Sequence, residues 1–216
     1  MQRRGPTWAI VVAAGRGARY GGPKQYDVIG GMTVLARSVA QARGACDGVV
    51  VVVAAEDAGR PVDGADRVVA GGASRSASVR AGLEALPDDA EVVVVHDAAR
   101  PLAGPELWAA AIAGVVSGAD AALCAVAVTD TVKRVDGDDV VATVDRTELV
   151  AVQTPQAFRA AALRAAHAPG VDATDDGALV EASGGRVVVV PGSVTNLQLT
   201  HPHDLAVAEA LLGAER

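Results

Sequence analysis

Residues 13–24, Ala-Ala-Gly-Arg-Gly-Ala-Arg-Tyr-Gly-Gly-Pro-Lys, place four glycines and three cations in one loop behind an apolar run. Glycine has no Cβ, so it takes positive φ and lets a ligand approach the backbone closely. Successive N–H groups in such a turn form a concave anion site, which Arg16, Arg19 and Lys24 reinforce. The chemistry this suits is phosphate binding. A tight strand connection is the plain alternative, and three cations inside the turn argue against it. Neither common phosphate motif fits. Gly15, Gly17 and Gly21 carry the third glycine one residue late for the dinucleotide fingerprint, and Lys24 between Pro23 and Gln25 fails the Walker pattern.

Two more stretches carry chemistry. In Gly71-Gly72-Ala73-Ser74-Arg75-Ser76-Ala77-Ser78 the glycines end a short strand and the serines can cap the helix that follows. Arg75 beside the free N–H groups of that helix start suggests a polar or anionic ligand, although a cap needs none. In His96-Asp97-Ala98-Ala99-Arg100-Pro101, Asp97 lies where ligands bind in open α/β sheets, beyond a strand's carboxyl end. It is placed for Mg²⁺, which asks for few carboxylates plus phosphate oxygens and water. Capping the next turn or pairing with Arg100 are the alternatives for Asp97. His96 reads as a strand-end structural residue rather than a base. There is no nucleophile elbow, and His96, His167, His201 and His203 are too scattered for zinc.

The elements that must position these residues alternate. Valine-rich strands are expected at Thr7–Ala13, Gly48–Ala54, Arg67–Val69, Glu91–Val95, Ala121–Val128 and Arg186–Val190. Helices are expected at Thr33–Ala42, Ser76–Leu86, Pro105–Val116, Ala160–His167, Asp175–Ser183 and Pro202–Leu212. Continuous apolar strands between helices predict an α/β fold, a doubly wound, mainly parallel sheet covered on both faces. Residues 129–153 break the pattern. Thr131–Val135 and Val140–Val144 flank Asp136-Gly137-Asp138-Asp139, a hairpin signal. This arm either pairs with a second subunit or lies on the surface of a monomer.

The 216 residues read as one domain over 1–216, with the arm at about 129–153. Only 2% of them are aromatic, so Ala, Val and Leu must build the core. A net charge of −7 argues against non-specific nucleic-acid binding and makes the basic loop a local exception suited to a small anion. Cys46 and Cys124 have no metal-ligand spacing and read as buried thiols of a reduced, cytoplasmic protein. The basic start, Met1 to Trp8, precedes an apolar run too short for a targeting signal. No apolar stretch reaches the ~18 residues that a membrane span needs.

Taken in order, the blocks resemble the 2-C-methyl-D-erythritol 4-phosphate cytidylyltransferase family. They are Ala13-Ala14-Gly15-x-Gly17-x-Arg19, Pro23-Lys24-Gln25-Tyr26, Gly71-Gly72-x-x-Arg75-x-x-Ser78-Val79 and His96-Asp97-Ala98-Ala99-Arg100-Pro101. Asp130-Thr131-x-Lys133, Thr143-Val144-Asp145-Arg146, Thr154-Pro155-Gln156 and Thr174-Asp175 follow. The resemblance implies a Rossmann-like nucleotidyltransferase that transfers CMP from CTP to 2-C-methyl-D-erythritol 4-phosphate with release of pyrophosphate, and a homodimer held partly by the arm. It implies that Arg19 and Lys24 are catalytic and hold the triphosphate. Ala13, Ala14, Gly15, Gly17, Gly71, Gly72, Arg75 and Ser78 would bind the nucleotide, and Asp97 the Mg²⁺. Arg100, Thr131, Arg146, Thr154 and Gln198 would bind the methylerythritol phosphate, Thr131 and Arg146 from the partner's arm.

One position departs. The family usually shows Asn-Ile-Lys-Val-Thr where this chain has Asn196-Leu197-Gln198-Leu199-Thr200. Gln198 donates hydrogen bonds but brings no charge. Either another cation such as Arg16 compensates, or phosphosugar affinity falls. A ribitol 5-phosphate cytidylyltransferase, a dinucleotide-dependent oxidoreductase and a non-catalytic nucleotide-binding relative are the competing readings.

Overall fold

Val49–Val53 and Val93–Val95 are shielded on both faces, which only a sheet sandwiched between helices allows. The structure, a computed structural model, describes residues 5–214. Of the basic start, Met1 to Trp8, expected to carry no targeting signal, residues 1–4 lie outside them. The strands are β1 (Thr7–Val12), β2 (Val28–Ile29), β3 (Met32–Thr33), β4 (Gly48–Val53), β5 (Arg67–Ala70) and β6 (Val92–Asp97). β7 (Ala121–Ala127), β8 (Val132–Asp136), β9 (Asp139–Val144), β10 (Val150–Arg159) and β11 (Val187–Pro191) follow. The helices are α1 (Val34–Ala45), α2 (Arg75–Glu84), α3 (Pro105–Val116), α4 (Ala160–His167), α5 (Asp176–Ala182) and α6 (Asp204–Ala214).

Seven strands form one sheet in the order β11-β7-β10-β6-β1-β4-β5. β1 runs parallel to β4 and β6, β4 to β5 and β7 to β11, while β10 is antiparallel to both of its neighbours. Helices α1 and α3 cover one face through Leu35, Val39, Leu107 and Trp108. Helices α2, α4 and α5 cover the other through Val79, Leu83, Leu163 and Val180. This is the expected doubly wound, mainly parallel architecture.

A third, smaller cluster joins Ile29, Val34, Leu199 and Ala208. It seats α6 and the segment before it against the short β2–β3 hairpin, which brings Gln198 beside the first glycine loop. Thr33, Ser74 and Asp175 cap α1, α2 and α5, each accepting the N–H three residues on at 2.9–3.1 Å.

Three expectations need correction. Strand β6 runs on through Asp97, so His96 and Asp97 end the strand instead of following it. β10 was not expected, and it carries Pro155, a residue that central strands usually exclude. Its pairing with β7 shifts register between Val152 and Gln156, where the proline is accommodated. The independent arm is therefore only the β8–β9 hairpin, and Val150–Val152 belong to the main sheet.

Candidate functional site

Strand β1 has β4 on one side and β6 on the other, and the loops leaving their carboxyl ends part around it. Three bonds extend the ladders into those loops and fix them: Ala13 N–H to Val52 O (2.7 Å), Gly71 N–H to Val53 O (2.7 Å) and Ala98 N–H to Val12 O (3.0 Å). Between them opens a cleft of about 630 Å³. Of the residues singled out in the sequence, Ala13, Ala14, Gly15, Arg16, Lys24, Gly72, Arg75, Ser78, Asp97 and Gln198 line it. Gly17, Arg19, Gly71, Arg100, Thr131, Arg146 and Thr154 do not.

The first loop divides its amides between two jobs. Gly17, at φ +64°, turns its carbonyl to accept from the N–H groups of Tyr20 and Gly21 at 2.9 Å and of Gly22 at 3.3 Å. Those three amides hold the loop and are spent. The N–H groups of residues 14–19 have no acceptor among the described residues, and they are the ones left for an anion. Lys24 Nζ donates to the Leu199 carbonyl, tying this loop to the 196–200 segment. Burial, and then repulsion from Arg19, holds the Lys24 ammonium below the ordinary lysine value. Arg19 is thus close to Lys24 while lying exposed at the rim.

Gly71 stands behind the cleft wall. A Cβ there would lie 2.5 Å from Ala14 Cβ and 2.8 Å from Ser78 Oγ, so only glycine lets the two loops close on each other. Ser78 lines the cleft, yet its hydroxyl accepts from Gly72 N–H at 3.2 Å and donates to the Ser74 carbonyl at 2.9 Å. Its role in the structure is to shape the loop.

Arg75, expected to bind the nucleotide, lines the cleft while tied to two carboxylates. Its Nε donates to Asp97 Oδ1 at 3.0 Å and its Nη1 to Asp176 Oδ2 at 2.7 Å. Burial alone would lower this guanidinium, but Asp97 and Asp176 hold it above its ordinary value. Asp176 is fully buried and its Oδ1 accepts from His167 Nε2 at 2.9 Å. Asp175 instead caps α5 and accepts from Gln156 Nε2 at 3.1 Å. Sequence reasoning left open whether Asp175 or Asp176 reaches the site and missed His167 as a neighbour of it.

Asp97 pairs with Arg75, not Arg100, and its Oδ2 has no partner among the described residues. No group of three or more His, Cys, Asp or Glu able to hold a metal occurs among those residues. A single unpartnered carboxylate oxygen suits a hard cation that completes its shell with phosphate and water. That is the fit for Mg²⁺.

Behind Asp97, Thr154 Oγ1 accepts from the Asp97 N–H at 3.0 Å and meets His96 Nδ1 at 3.1 Å. His96 Nε2 lies 3.2 Å from the Arg100 carbonyl, and burial pushes the imidazole down to about 4. The neutral ring thus donates from Nε2 to Arg100 and accepts the Thr154 hydroxyl at Nδ1. Thr154, expected to grip phosphate, has its buried hydroxyl occupied in positioning Asp97. His96 is structural, as read.

Arg100 donates from Nη1 to the Asn196 carbonyl at 2.8 Å and from Nη2 to Gln198 Oε1 at 3.4 Å. Asn196, fully buried, in turn donates to the Thr154 carbonyl at 2.9 Å. Thr131 and Arg146 are exposed on and beside the arm, where Arg146 donates to the Thr129 carbonyl. Within one chain they do not reach the cleft lining.

Residues 7–214 match the model of the 2-C-methyl-D-erythritol 4-phosphate cytidylyltransferase family. The chain belongs to this family. It is 48% identical over 213 residues to the cytidylyltransferase of Frankia casuarinae, with 94% of this chain and 80% of that one covered. It is 45% identical over 222 residues to a bifunctional IspD/IspF enzyme of Clavibacter michiganensis, covering 95% of this chain and 54% of that one, so it spans about half of that longer relative. The cytidylyltransferase structure from Thermus thermophilus superposes with a TM-score of 0.81 at 36% identity, covering 94% of this chain and 98% of that one. Among the described residues no helix of this cytidylyltransferase is long and apolar enough to cross a membrane.

Proposed function

We propose that the cleft transfers CMP from CTP to 2-C-methyl-D-erythritol 4-phosphate and releases pyrophosphate. The observation that carries this reading is the convergence of Lys24, Asp97 and the unpartnered amides of residues 14–16 on one cleft in a member of this family. An acceptor phosphate oxygen attacks the α-phosphorus of CTP, and the bond from that phosphorus to the α,β-bridging oxygen breaks. The attacking phosphate is already anionic, so no base is needed, in keeping with a His96 too buried to take a proton. The obstacle is bringing two polyanions together, which positioned cations and amides relieve.

Each residue has a stated part. Ala13, Ala14, Gly15 and the Gly71–Ser78 segment wall the nucleoside. Lys24, Arg19 and the loop amides hold the triphosphate and stabilise charge at the α-phosphorus. Asp97 offers Oδ2 to Mg²⁺, which when bound neutralises triphosphate charge. Arg100 and Gln198 face the acceptor phosphate. Val135, Val140 and Val141 are 56–61% exposed on the arm, a patch suited to a second copy of the chain in a homodimer. That copy would bring Thr131 and Arg146 to the acceptor.

The decisive assay is magnesium-dependent pyrophosphate release from CTP with methylerythritol phosphate. Ribitol 5-phosphate, and ATP, GTP or UTP in place of CTP, are the comparison arms. Release with methylerythritol phosphate and CTP alone is the expected result.

A further inference from the structure

We propose that His167 is a positioning residue for Asp97, acting through Asp176 and Arg75. His167 ends α4, Asp176 opens α5, Arg75 opens α2 and Asp97 ends β6. The four side chains form an unbranched chain across these elements. His167 Nε2 bonds Asp176 Oδ1 at 2.9 Å, Asp176 Oδ2 takes Arg75 Nη1 at 2.7 Å, and Arg75 Nε reaches Asp97 Oδ1 at 3.0 Å.

Each link uses a different atom, so the orientation of one side chain sets that of the next. Asp176 has no exposed surface, and a carboxylate so placed needs both oxygens bonded. His167 supplies the bond to one oxygen and thereby leaves the other for a single nitrogen of Arg75. Without that donor the carboxylate turns both oxygens to the guanidinium, the best geometry open to it. Arg75 then swings off Asp97, which loses its partner at Oδ1. With Oδ1 engaged by Arg75, Oδ2 is the Asp97 oxygen left without a partner among the described residues. The same bond that satisfies the buried Asp176 thus fixes which oxygen the cleft receives.

The purely structural role of His167, filling the core and pairing Asp176, predicts a loss of stability alone. Positioning predicts a change in the magnesium dependence of CTP binding as well. The proposal rests on the cytidylyl-transfer reading, so wild-type CTP binding and turnover are measured first.

Calorimetric CTP binding is then followed against magnesium concentration. Half-saturation is expected to need about tenfold more magnesium in His167→Leu, the usual scale for losing a group that orients a ligand. His167→Gln, which keeps a donor at the Nε2 position, is expected to recover to within about threefold. As a measurement independent of whether the leucine variant folds, the His167 ring nitrogens of the wild-type chain are expected to shift on adding magnesium and CTP. The exposed His203 serves as the control. An unchanged magnesium dependence in folded His167→Leu, or His167 signals unmoved at saturating ligand, overturns the proposal. A wild-type chain that neither binds CTP nor turns it over overturns the functional reading, and this inference with it.

Discussion

Gln198 offers its amide oxygen to Arg100 Nη2 at 3.4 Å, a bond that the lysine usual in the family cannot accept. The neutral residue is therefore tied to the cation proposed to face the acceptor. Arg100 has a stronger anchor in the Asn196 carbonyl at 2.8 Å, so it stays in place without Gln198. Replacing Gln198 by lysine then adds a charge to the acceptor site at little cost in order. Gln198→Lys is expected to lower KM for methylerythritol phosphate several-fold with kcat nearly unchanged, as steady-state kinetics will show. An unchanged or higher KM would show that the amide bond to Arg100 outweighs the added charge.

Lys24 and Arg19 sit on one loop but differ in environment. Arg19 is exposed, whereas Lys24 is half-buried and holds the Leu199 carbonyl. Losing one preorganised charge contact typically costs about 10²–10³ in rate, and each alanine variant is expected to lose at least that. The stability of Arg19→Ala should stay within about 0.5 kcal/mol of wild type, since it removes only surface contacts. Turnover near that of wild type in either variant would remove the triphosphate role.

The alkaline limb of activity follows from Lys24. Burial and Arg19 both disfavour its charged form, so it loses its proton below the ordinary lysine value of about 10.4. Activity is expected to fall with rising pH earlier than a free lysine would dictate. Lys24→Arg keeps its charge at every accessible pH and should move that limb upward in a plot of log kcat/KM.

How far the chain could be read beforehand turned on whether the decisive partner was local. Pro105–Val116 and Ala160–His167 have the bounds their apolar spacing gives, and the first loop announced itself by composition. Strand β10 was not expected; it carries Pro155, a strong local signal against a strand, and a register shift beside it restores the pairing. That Asp176 holds Arg75 was not legible, since the two lie 101 positions apart. His167 at the end of one helix and Asp176 in the first turn of another each satisfy a local rule for helix ends. Nothing in their spacing reveals that they meet.

Asp176 also gives the fold an acid-side dependence. Burial would raise its carboxyl, but the bonds from His167 and Arg75 bring it below the ordinary aspartate value. Its contribution to stability is therefore full above the unfolded-state value of about 3.9 and is lost as pH falls through the lower folded value. Asp176→Ala breaks a buried pair and is expected to cost about 3–5 kcal/mol near neutral pH. In denaturant titrations the gap to wild type should narrow below about pH 4. A gap independent of pH would mean that packing, not charge, accounts for the loss.

The arm offers the sharpest separation between the two halves of the reaction. Val135 and Val140 face each other in register across the β8–β9 hairpin, 58% and 61% exposed. A solvated hairpin of two strands is at best marginally stable alone, and valines on it gain most if another surface covers them. In the proposed dimer the covered arm also delivers Thr131 and Arg146 to the partner's acceptor site, while every residue assigned to CTP lies within one chain. Val140→Asp places a charge in that contact. The variant is expected to sediment as a monomer and to bind CTP as wild type does. Its KM for methylerythritol phosphate should rise at least tenfold, about 1.4 kcal/mol of lost interaction. A wild-type chain that is monomeric at assay concentration and fully active would instead assign the arm's valines to the monomer's own surface.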